Sequence, residues 1–419
     1  MGSGTPWRIG LATLLAVALS VLLRASCSPH WWGPAAPHPY CYSDLAALFE
    51  RATFKRDALP YVEAPNEYPV LTALFAYGGA LASDSPLGFF LVNTAGLAVL
   101  AVATALVLEK AVGSRAILFA LAPTLVLYAV LNWDLLAVAL TTSATWAFLS
   151  RRHHLAGVLL GLGAAAKLYP ALLVVPFSAD LVSHGLRRRA AGLAGAAALA
   201  WLAVNLPFAV VAPSGWSLFL RFAADRPATL GTLWSVSCRI PVHAAWCQDV
   251  NVLNTVSVIA YVGIAGASWW LAARWAPAFP RWALGLPFLV ALLLTSKVYS
   301  PQYSLWLIPW FALVLPDLRL FAAFEVADVM VYLMEFSAGG AQFGLQLFPR
   351  WTLGWAVSFR AVVLAWIILA FIRDARAGVL GDRAAVIRER LRDVRTGSVS
   401  TEVPKTRFDD HEEHADSDP

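Results

Sequence analysis

The chain has 419 residues, of which 59% are hydrophobic and 14% charged, with 18 tryptophans and a net charge of +5. A soluble domain of this composition would expose a large apolar area to water, so the composition predicts a polytopic membrane protein. The charge does not indicate nucleic-acid binding, because the basic residues cluster at the ends of apolar runs, where they orient a membrane protein.

Apolar runs suited to transmembrane helices recur along the chain. A span needs about 20 apolar residues, so the shorter runs are expected to extend into their polar flanks. The candidate spans are Ile9–Leu23, Leu87–Leu108, Ala116–Leu131, Leu135–Leu149, Leu155–Leu168, Ala171–Leu181, Ala190–Val211, Leu253–Ala272, Trp282–Thr295, Tyr303–Leu315, Leu320–Phe336 and Leu353–Ile372. The sequence therefore predicts an all-α, polytopic integral membrane protein with about twelve transmembrane helices.

One further apolar segment, Tyr68–Ser83, is expected not to cross the membrane. It is short, contains Gly78 and Gly79, and is bounded by Pro69 and Pro86. We place it on the outer side as a re-entrant or surface-lying segment, since the basic clusters at the other helix ends are then all cytoplasmic. Both termini are then expected in the cytoplasm, and the membrane is expected to be the plasma membrane.

The first outer loop, residues 24–86, departs from the charge rule. It carries Arg51, Lys55 and Arg56, which would be expected on the inner side. An amphipathic surface helix explains them, because its basic residues can meet lipid phosphates. The apolar face of this expected helix consists of Leu45, Leu48, Phe49 and Ala52.

All four cysteines fall in predicted outer loops, where disulfides can persist. The preferred pairs are Cys27–Cys41 and Cys238–Cys247. Four unpaired thiols are the alternative.

We divide the chain into a transmembrane part, residues 1–372, and a cytoplasmic tail, residues 373–419. The tail is basic and helix-prone up to Arg395, which suits it to an anionic inner leaflet. From residue 396 it becomes polar and then acidic, and we expect it to be disordered. For His411 and His414 a solvated tail is favoured over a metal site.

Polar and charged residues recur at the ends of apolar runs on the predicted outer side. Charges at membrane depth are costly and usually mark function or ion pairing. The residues are Asp44, Glu67, Tyr68, Asp134, Lys167, Tyr169, Lys297, Tyr299, Gln302 and Tyr303. Their recurrence on one side predicts a single site at the outer membrane face.

Each of these residues also has a plainer interpretation. Asp44 could cap the helix that follows it, Glu67 could satisfy nearby backbone donors, and Asp134 could be a cap or an ion-pair partner. Lys167 and Lys297 could extend to the membrane interface. The aromatic residues could form an interfacial belt and nothing more.

The functional interpretation gives these side chains complementary roles in glycosyl transfer. A carboxylate accepts the proton of an attacking hydroxyl, and a lysine holds the phosphate of a leaving group. Aromatic rings offer faces for a sugar, and a lipid-facing groove takes a polyprenyl tail. The reaction needs these parts because charge develops on the sugar ring and on the departing phosphate.

The motifs at residues 41–45 (CYSDL) and 67–72 (EYPVLT) resemble those of the actinobacterial membrane glycosyltransferases of the GT-C class. That family includes the polyprenyl-phosphate-mannose-dependent mannosyltransferases of phosphatidylinositol mannoside synthesis. Residues 163–170 (GAAAKLYP) and 297–303 (KVYSPQY) also resemble its motifs. The resemblance extends over most of residues 1–372.

The resemblance implies a GT-C-type fold with its active site on the outer face and Asp44 as the general base. It also implies inversion at the anomeric carbon and transfer of a hexose, with mannose favoured, from a polyprenyl-phosphate sugar to a glycolipid or glycan hydroxyl. The expected partners are this donor, this acceptor and membrane lipids, without nucleic acid, cofactor or metal. The alternatives are a transporter or flippase of lipid-linked sugars and a non-catalytic scaffold for envelope assembly.

Overall fold

The computed structural model describes residues 6–50, 54–239 and 246–396. Arg51 and Ala52 of the expected surface helix lie outside the described residues. The same holds for the tail from residue 397, with His411 and His414. The structural statements below concern the described residues.

The described chain is built from helices, and its two isolated β-bridges, Lys55–Ala58 and Pro60–Ala64, form no strand there. The α-helices are α1 (Pro6–Ala25), α2 (Asp44–Glu50), α3 (Val70–Ala82), α4 (Pro86–Val112), α5 (Ile117–Ala120), α6 (Pro123–Tyr128), α7 (Asp134–Leu149), α8 (His153–Ala166), α9 (Val174–Ser183), α10 (Arg187–Val211), α11 (Pro213–Trp216), α12 (Leu218–Asp225), α13 (Leu233–Ser237), α14 (Val250–Trp275), α15 (Gly285–Thr295), α16 (Ile308–Leu313), α17 (Leu318–Gly340), α18 (Arg350–Arg376) and α19 (Val379–Thr396). Short 3₁₀ helices cover Pro39–Cys41, Gly113–Ala116, Tyr169–Leu173, Arg281–Leu284, Pro301–Trp306 and Ala341–Phe343. The all-α prediction is confirmed over these residues.

Five helical segments of the described chain are long and apolar enough to cross a membrane. They are Pro6–Ala25, Pro86–Ala120, Arg187–Val211, Val250–Trp275 and Arg350–Arg376. Shorter apolar helices of 10–17 residues, among them α3, α7 and α8, lie between them. The chain is therefore a multi-pass membrane protein, while the count of twelve crossings stays a prediction.

Two of the expected spans are interrupted by non-helical residues. The run Ala116–Leu131 divides into α5 and α6, because Pro123 begins α6 and has no N–H with which to continue the preceding turn. The run Tyr303–Leu315 divides into the 3₁₀ helix Pro301–Trp306 and α16, which carries Pro309 in its first turn. Each break places irregular backbone inside the protein, where neighbouring groups can satisfy it.

Small residues determine the close packing of α8 against α10. A Cβ at Gly157 or Gly161 would collide with the carbonyl groups of Leu193 or Ala197 on α10, so the glycines allow the backbones to approach. Helix α8 also packs on α7. Lys167 follows the last residue of α8, so the packing of α8 on α7 and α10 fixes the position of Lys167.

The first loop folds back against the protein. Its α2 packs on α4, with Leu45 and Leu48 buried and the Phe49 ring centroid 4.8 Å from that of Phe89. The described residues of the expected apolar face, Leu45, Leu48 and Phe49, therefore contact protein. The loop is also fixed by a disulfide between Cys27 and Cys41, and a second disulfide joins Cys238 to Cys247.

The basic helix α19 packs on α4 and α18. Its apolar residues Leu380 and Ile387 are buried, and Arg390 forms an ion pair of 3.0 Å with Glu109 of α4. The sequence predicted a helix suited to an anionic leaflet. In the structure its apolar face is covered by protein, while Arg388 is exposed.

Candidate active site

A cavity of about 650 Å³ lies where the first loop, the ends of α8 and α15, and helices α12 and α17 meet. Eight of the ten residues that the sequence indicated line it. These are Asp44, Glu67, Tyr68, Lys167, Tyr169, Lys297, Gln302 and Tyr303. Asp134 and Tyr299 lie behind the wall.

Backbone contacts place Asp44 at the cavity. Asp44 is the first residue of α2, and its N–H donates to the Leu131 carbonyl at 2.8 Å. The preceding Ser43 hydroxyl donates to the Val130 carbonyl at 2.7 Å. The loop motif is thus joined to the turn that follows α6. This turn begins where α6 ends at Tyr128.

Three side chains donate hydrogen bonds to the Asp44 carboxylate. Tyr42 donates to Oδ1, Tyr68 donates to Oδ2 at 2.8 Å, and the Asn132 amide also donates to Oδ2. Burial raises the pKa of the Tyr68 phenol and the Asp44 charge adds to this, so Tyr68 remains a donor. A carboxylate offers about four acceptor positions. One position, on Oδ1, therefore remains for a ligand.

Lys167 and Asp134 form a buried ion pair at the cavity floor. Lys167 Nζ lies 3.3 Å from Asp134 Oδ2, and Trp306 Nε1 donates to Asp134 Oδ1 at 2.8 Å. The ammonium group also lies 5.1 Å from the ring centroid of Tyr68 and 5.3 Å from that of Tyr303. Lys167 reaches the cavity, while Asp134 is fully buried behind it.

We expect Asp134→Asn to lower the free energy of unfolding by about 1–3 kcal/mol, because it removes the charge that compensates a buried lysine. The loss is limited, since Lys167 keeps its contact with the cavity and with two aromatic rings. Thermal unfolding in detergent measures the effect. Asp84→Asn is the matched control, because Asp84 is exposed in its pair with Arg56. Equal midpoints for the two variants would contradict the expectation.

Three aromatic rings are stacked beside the lysine. Trp306 lies between Tyr169 and Tyr303, with both centroid separations 4.1 Å. The Tyr169 hydroxyl is 3.0 Å from the Thr141 hydroxyl on α7. The stack gives one cavity wall a rigid aromatic surface, and Trp306 is a site residue that the sequence interpretation did not single out.

Two basic residues line another part of the cavity. Lys297 Nζ donates to the Ala224 carbonyl at the end of α12, at 2.6 Å. Burial lowers the pKa of Lys297, the Arg226 charge lowers it further, and Asp225 opposes both. The wall beside the two cations is apolar and includes Phe219, Phe222, Leu230, Leu292 and Leu293. Arg226 was not indicated by the sequence interpretation.

Tyr299 belongs to a buried network instead of the cavity lining. The Arg360 guanidinium lies 3.7 Å from its ring centroid, and its hydroxyl is 2.9 Å from the Ser304 hydroxyl. Arg360 also forms an ion pair of 2.9 Å with Asp328. Tyr299 therefore supports the wall from behind.

A possible metal site does not fit its residues. Cys27, His38 and Cys41 are the one group of three potential ligands that comes together in the described part of the chain. The two cysteines are joined in a disulfide, which removes two of the three ligands.

Comparison with solved structures gives weak likenesses, among them two to proteins of Archaeoglobus fulgidus. The oligosaccharyltransferase in the apo form has 12% identity and a TM-score of 0.40, covering 89% of this chain and 56% of that one. The oligosaccharyltransferase AglB in complex with an inhibitory peptide and a dolichol-phosphate has 15% identity and a TM-score of 0.33, covering 96% and 57%. This chain spans little more than half the length of either, and at these TM-scores no functional argument follows.

A comparison with curated proteins finds no match. The model of glycosyltransferase family 87 matches residues 67–301, which include Glu67, Lys167 and Lys297, while Asp44 precedes them. The match covers more than half of the 419 residues, so the chain belongs to glycosyltransferase family 87.

Proposed function

We propose that the protein is an inverting glycosyltransferase of the outer face of the plasma membrane, with both termini in the cytoplasm. It moves a hexose, with mannose favoured, from a polyprenyl-phosphate sugar to a hydroxyl of a glycolipid or glycan. One observation carries the proposal. Asp44 lies in the cavity wall with Oδ2 held by Tyr68 and Asn132, and with one acceptor position open on Oδ1.

The proposed reaction is a single displacement. The acceptor oxygen forms a bond to the anomeric carbon while the bond from that carbon to the phosphate oxygen breaks. The hydroxyl proton passes to Asp44, and polyprenyl phosphate leaves with the electron pair. Three side chains hold the Asp44 carboxylate in place, so its orientation is already fixed before the transition state, which favours proton transfer.

The donor phosphate is assigned to Lys297 and Arg226, because the third cation of the cavity wall, Lys167, is already paired with Asp134. Lys297 uses one of its three N–H donors on Ala224, so two remain for phosphate oxygens. Arg226 adds a second positive charge, and the adjoining apolar residues of α12 and α15 suit a polyprenyl chain. As the phosphate departs it gains charge, and both cations stabilise it.

We expect Lys297→Ala to weaken donor binding. Loss of a charged hydrogen bond costs about 1.5–3 kcal/mol, which is about a 10- to 150-fold higher Kd. The Kd is measured by equilibrium binding of labelled polyprenyl-phosphate mannose to the protein in detergent. Lys110→Ala is the control, since Lys110 is exposed at the end of α4.

The same measurement has a pH dependence with a definite sign. Burial lowers the pKa of Lys297, so its positive charge is lost as the pH rises through that lowered value. As the pH is raised, the donor Kd should therefore begin to increase at a lower pH than it would if an exposed lysine of ordinary pKa bound the phosphate. An unchanged Kd for Lys297→Ala would remove the phosphate assignment.

The function itself is tested by transfer. Purified protein is supplied with labelled polyprenyl-phosphate mannose or, in parallel, with labelled guanosine diphosphate mannose, and membrane glycolipids serve as acceptors. Product from the lipid-linked donor alone is expected. Product from the nucleotide sugar alone, or movement of the intact donor between leaflets without any new glycosidic bond, would contradict the proposal.

A further inference from the structure

We infer that Glu335, Phe336 and Gly339 of α17, with Trp32 and Tyr42 of the first loop, form a subsite for a sugar ring of the acceptor. The inference rests on the proposed function and adds the residues that recognise a sugar ring of the acceptor, next to the hydroxyl that reacts. All five residues line the cavity.

Glu335 supplies unused hydrogen-bonding capacity. Its side chain is half-buried in the cavity wall, and Oε2 has no hydrogen-bond partner among the described residues. A Cβ built on Gly231 would lie 2.5 Å from Oε2, so this oxygen packs against the Gly231 backbone, and the Gly231 N–H approaches the carboxylate without forming a full hydrogen bond to Oε2. The nearby Arg360 is engaged with Asp328 at 2.9 Å and with the Gly231 carbonyl at 2.6 Å.

Sugar hydroxyls match this vacant acceptor. A carboxylate accepts hydrogen bonds from two neighbouring hydroxyls at once, and a buried acceptor without a donor is costly. The terminal torsion of a glutamate side chain is broad. A small rotation therefore turns Oε2 toward the cavity without a change in the helix.

Aromatic rings connect Glu335 to the base. The Tyr42 ring centroid is 5.0 Å from that of Trp32 and 6.2 Å from that of Phe336. Such rings offer apolar faces to the C–H side of a sugar. The Tyr42 hydroxyl donates to Asp44 Oδ1, which is the oxygen with the open position. The aromatic wall thus begins at the proton acceptor and ends at Glu335.

The donor is assigned to other elements, which leaves this wall for the acceptor. Lys297, Arg226 and the apolar residues beside them come from α12, α15 and the segments that follow these helices. In a single displacement the acceptor approaches from the side opposite the leaving phosphate. The first loop and α17 supply the base and the remaining wall.

Gly339 allows the subsite to be probed without strain. A Cβ at Gly339 would have only the Trp32 side chain within reach, at 3.7 Å, which is an ordinary contact. Gly339→Ala therefore narrows the wall while the fold is kept. Glu335→Gln keeps the shape of the side chain and removes its charge.

The experiment compares octyl mannoside with 1-octanol as acceptors for the full-length protein. The labelled donor is polyprenyl-phosphate mannose. We expect wild-type transfer to octyl mannoside to be faster than to octanol. For Glu335→Gln and Gly339→Ala we expect the KM for octyl mannoside to rise about tenfold, or 1.4 kcal/mol, with an unchanged donor Kd. Glu389→Gln and Gly354→Ala are the controls, since Glu389 is exposed and a Cβ at Gly354 meets nothing.

The outcomes separate the subsite from the reaction. An unchanged KM for octyl mannoside in both variants, or equal transfer to octanol, would overturn the subsite alone. No transfer by the wild type to octyl mannoside, to octanol or to membrane glycolipids would overturn the proposed function. In that case the subsite is tested by the Kd of octyl mannoside in the absence of donor, which is measured from the change in tryptophan fluorescence. A Kd that does not rise in Glu335→Gln would overturn it.

Discussion

Asp44→Asn is expected to abolish sugar transfer while the donor still binds. Asparagine retains a carbonyl oxygen that can accept from Tyr68 or Asn132, so the local geometry is kept, but the amide cannot take a proton from an incoming hydroxyl. General-base catalysis contributes about 10²–10⁴-fold to rate, and we expect a loss in this range. The initial rate with labelled polyprenyl-phosphate mannose measures the loss, and equilibrium binding of the same donor measures the Kd.

This substitution also discriminates between the two interpretations of Asp44. Asparagine is about as good a helix cap as aspartate, so a purely structural Asp44 predicts a fully active variant. The matched control is Asp57→Asn, because Asp57 is exposed in the same loop. Transfer at the wild-type rate by Asp44→Asn would rule out the base role, whatever the donor Kd.

Local sequence motifs indicated much of the cavity wall. The CYSDL and EYPVLT motifs carry Asp44 and Tyr68, which the structure joins in one hydrogen bond of 2.8 Å. Each of these residues stands at or just before the start of a helix, where an apolar run begins. A polar residue at such a boundary is visible in sequence because its cost at membrane depth is high.

Contacts between distant segments could not be obtained in this way. Asn132 reaches Asp44 across 88 positions of sequence, and this contact needs the first loop to pack against the turn that follows α6. Glu335 and Trp306 were missed because each lies in an apolar run that was interpreted as a crossing or an interfacial belt. Only the packing of α17 against the first loop brings Glu335 to the site.

Two indicated residues lie behind the wall for a related reason. Asp134 and Tyr299 stand in the same motif-bearing segments as lining residues, but long-range partners determine the direction of their side chains. Asp134 accepts a hydrogen bond from Trp306, which is 172 positions away in the sequence. Tyr299 lies against Arg360 of α18. Residue spacing within a short segment does not contain this information.

The Arg360–Asp328 pair is expected to stabilise the fold more than the Lys167–Asp134 pair does. The side chains are 2% and 0% exposed and 2.9 Å apart, so Arg360→Met leaves a carboxylate without compensation in a site closed to water. Breaking such a pair costs about 3–5 kcal/mol. Thermal unfolding in detergent should show a large fall in midpoint. Arg56→Met is the control, because its pair with Asp84 is 53% and 71% exposed and contributes at most about 1 kcal/mol.

A double variant distinguishes lost charge compensation from lost packing. Arg360→Met combined with Asp328→Leu removes both charges, and replacement of a whole buried pair by apolar groups is often close to neutral. We therefore expect the double variant to unfold at a higher temperature than Arg360→Met alone. If it is no more stable, the role of Arg360 is packing against Tyr299. If Arg360→Met itself matches Arg56→Met, the network does not stabilise the fold.

Arg360→Met and the double variant both remove the guanidinium that donates to the Gly231 carbonyl at 2.6 Å. The cavity wall around Lys297 and Glu335 should therefore become less ordered in both variants. That change would be measured as a higher KM for the donor and the acceptor.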